Sequence, residues 1–173
     1  MEIIIKSNIR LLEDLVYHLE KLSKDEYNEP QILIMNASIG QHIRHIINFY
    51  QAFLQGIISG VINYDSRNRD KTLEFDKEIA ILEIKRLILK LDSLKNKTDI
   101  DIFLEYINID KEPRRILTSF QRELLYISEH TIHHTAIIRI VFEIIYKIQV
   151  NDDFGFAPST LEAKKREVLN FQI

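Results

Sequence analysis

The 173-residue chain has no cysteine, four glycines and three prolines. The lack of cysteine excludes disulfides, thiolate metal ligands and a cysteine nucleophile, and it fits a cytoplasmic protein. Because glycine and proline are scarce, long helices are favoured over a β fold with many turns. No apolar run approaches the roughly 18 residues of a membrane span, and the N-terminal segment lacks a signal-peptide pattern. A net charge of −3 gives no basis for a nucleic-acid or anionic-membrane partner.

Four segments carry apolar residues at helical spacing, and they cover about 3–22, 38–60, 74–93 and 119–149. Ser38 and Gln41 form a capping-box pattern at the start of the second segment, and Thr118 with Gln121 offers one for the fourth. Four helices with one apolar face each are most economically packed as a four-helix bundle. We therefore predict an all-α, single-domain protein over 1–173.

A change of period interrupts the helical pattern between the third and fourth helices. Residues 99–109 alternate apolar and polar side chains, which is typical of a strand, and 114–118 could return beside them after a turn with Pro113. We predict a small β-hairpin here. A last short helix is expected after the tail, where Ser159 and Glu162 offer a cap.

Histidines are concentrated on the second and fourth predicted helices. The stretch HTIHH places His130 and His134 four residues apart, so their rings lie on the same apolar face. On the second helix, a helical wheel puts His42 well inside the apolar arc and His45 at its flank. If the bundle runs up and down, the second and fourth helices are parallel, and the two sets of histidines meet at one level.

Two interpretations of these histidines remain open from the residues alone. They are either hydrogen-bonded core residues, or ligands of a metal ion, which helix bundles hold with inward side chains. His133 falls near the edge of the same arc. Three imidazoles would leave coordination positions open, as catalytic metal sites do. Neutral nitrogen ligands suit Zn, Ni or Fe, and the sequence does not choose among these divalent ions.

The motifs SIGQHIRHI (38–46) and HTIHH (130–134), together with the downstream FGFAPST, resemble the DinB/YfiT-like superfamily. The resemblance implies a four-helix bundle that is a mirror variant of the up-and-down arrangement. It also implies that His45, His130 and His134 hold a divalent metal, with His42 as a core residue or an outer partner of a ligand. A homodimer is expected from the resemblance alone.

The activities of that superfamily include thiol S-transfer and isomerisation, although many members have no known activity. The resemblance therefore implies a metal-dependent transferase or hydrolase that activates a thiol or water. Its partners would be a low-molecular-weight thiol and an electrophilic small molecule, and the protein would need no cysteine of its own. The alternative is a non-catalytic, stress-related binding or interaction module with a structural or vestigial metal site.

Glu123 lies two turns before His130 on the same face of the fourth helix. It is our candidate catalytic residue, either as a general base or by orienting a ligating imidazole. The competing interpretation is that its carboxylate stabilises the first turn of the helix. Tyr126 could line the pocket, or it could pack in the core with its hydroxyl at the rim.

Two loops carry basic residues that are candidate substrate contacts. Arg67 and Arg69 follow the second helix, whereas His45 is near its start, so a rise of about 1.5 Å per residue places this loop roughly 25 Å away. Capping and surface ion pairs are therefore expected for them. Arg114 and Arg115 on the hairpin are better placed to meet an anionic substrate, because residues 23–37, the hairpin and the tail should frame the site.

Overall fold

The computed structural model describes residues 2–66, 68, 70–96 and 99–170, without the side chains of 168–170, and it is mostly helical with a small sheet. The helices are α1 (Glu2–Leu19), α2 (Lys24–Asn28), α3 (Ile39–Ser59), α4 (Thr72–Phe75), α5 (Lys77–Asp92), α6 (Phe120–Ile140) and α7 (Pro158–Asn170). The strands are β1 (Val61–Asn63), β2 (Asp101–Ile107) and β3 (Pro113–Ser119). A 3₁₀ turn covers Ile32–Ile34, and a π turn, Val141–Ile145, follows α6.

The start of α3 is fixed by the capping box that the sequence predicts. The Ser38 hydroxyl accepts the Gln41 backbone N–H at 3.1 Å, and the Gln41 side chain accepts the Ser38 N–H at 3.3 Å. These two bonds satisfy donors that an α-helix leaves unpaired at its first turn. They therefore set the rotation of the helix on which His42 and His45 lie.

The predicted capping box at the start of α6 was wrong by one residue. Ser119 caps this helix, since its hydroxyl accepts the Arg122 backbone N–H at 3.3 Å. The Thr118 hydroxyl instead donates to the Glu123 carboxylate at 2.6 Å. A hydrogen bond to a buried carboxylate is stronger than one to a backbone amide. Thr118 therefore bonds to Glu123 and does not cap the helix. The regular helix also ends earlier than predicted, at Ile140.

The predicted hairpin is confirmed as β2 and β3, which pair antiparallel with Phe103 opposite Leu117. No pattern in the sequence indicates β1, which pairs parallel to β2. The chain turns back at Gly60, whose φ of 78° is in the left-handed region that glycine adopts without strain. β1 consequently runs back beside the last turns of α3.

The four long helices pack in a ring, because α1 contacts α5 and α6, and α3 contacts the same two helices. Arg44 pairs with Glu74, which lies just before α5, and Gln51 donates to Glu83 within it. From the first contact to the second, the residue number rises along both segments, so α3 and α5 are parallel. The crossover through β1 and α4 produces this arrangement.

The helices α3 and α6 run antiparallel, which corrects the parallel arrangement expected for an up-and-down bundle. The His42 ring is close to His134, whereas Phe53 lies 5.3 Å from Phe120 at the other end of the contact. The long helices therefore do not simply alternate in direction along the chain, because α3 and α5 are parallel. Among the described residues, no helix is both long enough and apolar enough to cross a bilayer.

A buried histidine joins α1 to the segment that follows α6. The Nδ1–H of His18 donates to the Asp14 carbonyl at 2.7 Å, and its Nε2 accepts the Asn151 backbone N–H at 3.2 Å. These two bonds require the neutral ring. Burial lowers the pKa of His18, and Lys21 adds to this effect, whereas the bond to the Asp14 carbonyl opposes it.

Acid is expected to destabilise the protein through His18. Its pKa is lower in the folded than in the unfolded chain, so between the two values only the unfolded chain binds the proton, and stability falls as pH drops below about 6.5. We expect His18 to contribute about 2–4 °C to the fall in Tm between pH 7.5 and pH 5.5, which corresponds to about 1 kcal/mol in a chain of this size, so the fall should be smaller by that amount in His18→Gln. His18→Gln keeps an acceptor but cannot titrate. An equal fall in the glutamine variant would contradict this assignment.

Candidate metal centre

Three histidines from α3 and α6 converge at one point between these helices. His45 on α3 and the pair His130 and His134 on α6 each offer a nitrogen, and these nitrogens lie within 4.8 Å of one another. The closest approach is between the Nε2 atoms of His45 and His130, at 2.8 Å. The i, i+4 spacing on α6 stacks two rings on one face, and the facing helix supplies the third.

A fourth imidazole, that of His42, contacts this group from the outside. Its Nδ1 lies 2.9 Å from the Nδ1 of His134. Because α3 and α6 are antiparallel, successive turns of α3 face successive turns of α6 in reverse order. His45 therefore meets His130, and His42 meets His134. The neighbouring His133 is exposed, with its ring 5.2 Å from that of His134.

The surroundings of His134 and His42 favour the neutral form of these two rings. Burial lowers the pKa of His134 to about 3, and the neighbouring imidazoles add to this effect. Burial also lowers the pKa of His42. At neutral pH the ring of His134 therefore carries a lone pair, which is the form that binds metal ions.

Aromatic rings form one wall of the site. Phe49 stacks on His130 with ring centroids 3.9 Å apart, and Tyr64 stacks on Phe49 at 4.9 Å. The ring centroid of Tyr126 lies 6.0 Å from that of His130, so this ring is also beside the histidine group. Phe49 follows His45 by four residues and could have been found from the helical wheel.

Tyr64 was missed for a structural reason. We expected the segment after α3 to begin roughly 25 Å from His45, but β1 returns along α3 after Gly60 and brings Tyr64 back to the level of Phe49. The Gly56 position allows this return, because a Cβ there would lie 2.2 Å from the Ile62 side chain. The distance estimate assumed that the chain continues away from the helix end, and it was wrong.

Glu123, the candidate catalytic residue, is fully buried. Its carboxylate accepts hydrogen bonds from the Tyr64 hydroxyl at 3.0 Å, the Thr118 hydroxyl at 2.6 Å and the Arg122 guanidinium at 2.9 Å. These bonds tie the first turn of α6 to β3 and to the aromatic wall. Its role as a base stays a prediction.

Of the four arginines considered as substrate contacts, the structure describes Arg114 and Arg115. Arg67 and Arg69 lie outside the described residues. Arg114 pairs with Glu112, and Arg115 pairs with Glu105 across the hairpin at 2.9 Å. Both guanidinium groups are thus engaged on the hairpin itself, and a contact with an anionic substrate stays a prediction.

One comparison with known proteins identifies a family. The family model of the DinB superfamily matches residues 9–138. This chain belongs to the DinB superfamily. A curated Rhizopus delemar protein, FK506-binding protein 5, is 34% identical to it over 110 residues, which are 62% of this chain and 28% of that protein. The match thus spans little more than a quarter of that relative. No solved structure matches the chain.

The donor set of this DinB-superfamily chain fits a divalent ion. Three imidazole nitrogens suit zinc, nickel or iron, and they leave further coordination positions open. Because a Zn–N bond is about 2.1 Å long, two nitrogens bound to one zinc ion are at most about 4.2 Å apart. In this structure the three nitrogens lie within 4.8 Å of one another. Small rotations of half-buried rings cover this difference. The resemblance drawn from SIGQHIRHI and HTIHH is confirmed at the level of family.

Proposed function

We propose that this chain binds one divalent metal ion through His45, His130 and His134, and that it is a metal-dependent transferase or hydrolase acting through a thiol or water. The observation that carries the proposal is the convergence of these three imidazoles in a DinB-superfamily chain. The identity of the ion, Zn, Ni or Fe, is left to measurement.

A bound divalent ion supplies Lewis-acid chemistry, because it lowers the pKa of a thiol or water that it coordinates. The three imidazoles offer neutral lone pairs, so the site keeps a positive charge for an anionic nucleophile. Phe49, Tyr64 and Tyr126 line one side of the histidine group with aromatic rings. In the transferase form, the thiol would give its proton to the candidate base Glu123, its sulfur would bond to an electrophilic carbon, and a leaving group would depart from that carbon with the bonding electrons.

Several expectations from the sequence form part of this proposal. Glu123 is carried forward as the candidate base, supported by its burial and its hydrogen bond to Tyr64 of the aromatic wall. A low-molecular-weight thiol and an electrophilic small molecule are the proposed partners. The mirror-variant four-helix bundle, a homodimer and a cytoplasmic location are proposed with them.

The alternative proposal is a non-catalytic binding or interaction module with a structural or vestigial site. It is supported by the burial of His42 Nε2 beside the histidine group, because a well-enclosed site favours a structural role. The two proposals differ in one property, which is whether the ion keeps a position that a small thiol can reach.

Cobalt(II) absorption tests the open position. The protein is stripped with a chelator, loaded with Co(II) and titrated with 2-mercaptoethanol. We expect visible bands from the three-histidine site, followed by a new sulfur-to-cobalt charge-transfer band as the thiol binds. His45→Ala is the matched variant, and it should show neither spectrum at the same cobalt concentration.

Three other outcomes decide against the proposal in different ways. Cobalt bands that stay unchanged at high thiol concentration would show a closed site and favour the structural alternative. Wild-type protein that gives no cobalt bands at all would remove the metal site itself. A charge-transfer band that persists in His45→Ala would place the thiol elsewhere.

A further inference from the structure

The contact between His42 and His134 determines which nitrogen of His134 can bind a metal. Their Nδ1 atoms are 2.9 Å apart, so a single proton lies between two neutral rings. If His134 carries this proton, its Nε2 has a lone pair and can act as a ligand. If His42 carries it, the proton of His134 is at Nε2, and that nitrogen cannot bind an ion.

The other nitrogen of His42 shows that this residue is poorly placed as a packing residue. Its Nε2 is buried and has no hydrogen-bond partner among the described residues. When His42 Nδ1 accepts a bond, its proton is at Nε2, where a buried N–H is left unpaired. An unpaired buried donor costs stability. An apolar side chain of similar size would fill the same space without that cost.

His42 is also separate from the ligands themselves. The three-histidine group, within the described part of the chain, consists of His45, His130 and His134 and does not include His42. Its contact with the group is through His134, with ring centroids 5.1 Å apart. A ligating imidazole usually donates its second N–H to a neighbouring acceptor, which fixes both tautomer and ring orientation.

We propose that His42 is a positioning residue, which accepts the Nδ1–H of His134 and so presents the Nε2 of His134 to the metal. This inference rests on the proposed metal site, and it assigns the acceptor role to an imidazole where a carboxylate or a carbonyl is more usual. The Nε2 that this arrangement leaves unpaired lowers the stability of the chain.

Two substitutions of His42 separate positioning from packing. His42→Leu removes the acceptor, and we expect zinc affinity to fall about 10–100-fold. His42→Asn retains an acceptor on Cγ, where Nδ1 is attached in histidine, so it should restore affinity to within about threefold of wild type. His133→Asn, an exposed neighbour, is the control and should change nothing. Affinities are measured by competition with a chromophoric chelator.

The stability of the chelator-treated protein supplies a second, independent readout. His42→Leu removes one buried unpaired nitrogen and leaves the Nδ1 of His134 without its partner, so the two effects offset and its Tm should stay close to that of the wild type. A residue that merely packs would lower Tm and zinc affinity together. Lower Tm and lower affinity in both His42 variants would therefore overturn the positioning role.

The remaining outcomes are equally decisive. If wild type and His42→Leu bind zinc equally well, the inference fails and the metal site stands. If the wild type binds no zinc, the proposed function fails and this inference fails with it. Should His42→Leu not fold, long-range ¹H–¹⁵N spectra of the zinc-loaded wild type decide, because a proton on Nε2 of His134 contradicts the inference and one on Nδ1 supports it.

Discussion

Replacing His130 with alanine is expected to weaken zinc binding by more than about 100-fold. Removing a residue that only hydrogen-bonds to a ligand typically weakens metal binding by about 10–100-fold. His130 is central to the site, since its Nε2 lies 2.8 Å from His45 and its ring lies 4.6 Å from His134. Without it two imidazoles remain, which is fewer protein ligands than zinc sites generally have. Competition titration with a chromophoric chelator measures the change.

The control for this substitution is His133→Ala, on the same helix three residues further on. His133 is exposed, so its removal takes away an imidazole without touching the three-histidine group. We expect its zinc affinity to match that of the wild type. Equal losses in both variants would mean that zinc binds non-specifically to the histidine-rich surface, and would contradict the site.

Gly40→Ala is expected to destabilise the protein by about 2–3 kcal/mol. Helix propensity alone would predict the opposite, because alanine favours a helix more than glycine does. Gly40 lies in the first turn of α3, and a Cβ there would be 2.1 Å from the Glu74 carbonyl oxygen and 2.8 Å from the Tyr27 ring. The first of these atoms belongs to the backbone and cannot move aside alone. Thermal unfolding should show Tm lowered by about 5–10 °C.

The matched control is Gly60→Ala, since that glycine has no atom within 4 Å of its added Cβ. Its φ of 78° makes alanine cost about 1 kcal/mol through backbone strain alone. Gly40→Ala should also reduce zinc affinity, because the first turn of α3 carries His42 and positions His45. If Gly40→Ala is as stable as the wild type, the close packing of α3 on α4 is wrong.

The features predicted from sequence were those that a short window determines. The Ser38–Gln41 box depends on two residues within one turn, and it is confirmed. The hairpin follows from a period of two between two turns, and it is confirmed as well. Likewise, the i, i+4 histidines on α6 share a face because of helix geometry alone.

The features that were missed depend on contacts between distant segments. The parallel strand β1 forms only because β2, about 40 residues later, offers an edge. The position of Tyr64 depends on the turn at Gly60 and on the close approach of Ile62 to Gly56. The antiparallel arrangement of α3 and α6 depends on the route of the crossover, which no local pattern encodes.

The helical wheel and the family resemblance selected different histidines on α3, and the structure shows a physical reason for both. A wheel measures the direction of a side chain from one helix axis, and His42 does point toward α6, where it meets His134. Whether a histidine of α3 joins the ligand group depends instead on which turn of α6 it faces, and His45 faces the turn that carries His130. The sequence of α3 alone does not show which turn of α6 lies opposite.

The metal content of the wild-type protein is the most direct test of the metal site. It should be measured by mass spectrometry on protein purified without a tag, as isolated and after incubation with Zn, Ni or Fe(II) followed by desalting. The account predicts about one equivalent of a divalent metal per chain. No bound metal under any of these conditions would contradict it, and HTIHH would then be a motif of packed core histidines.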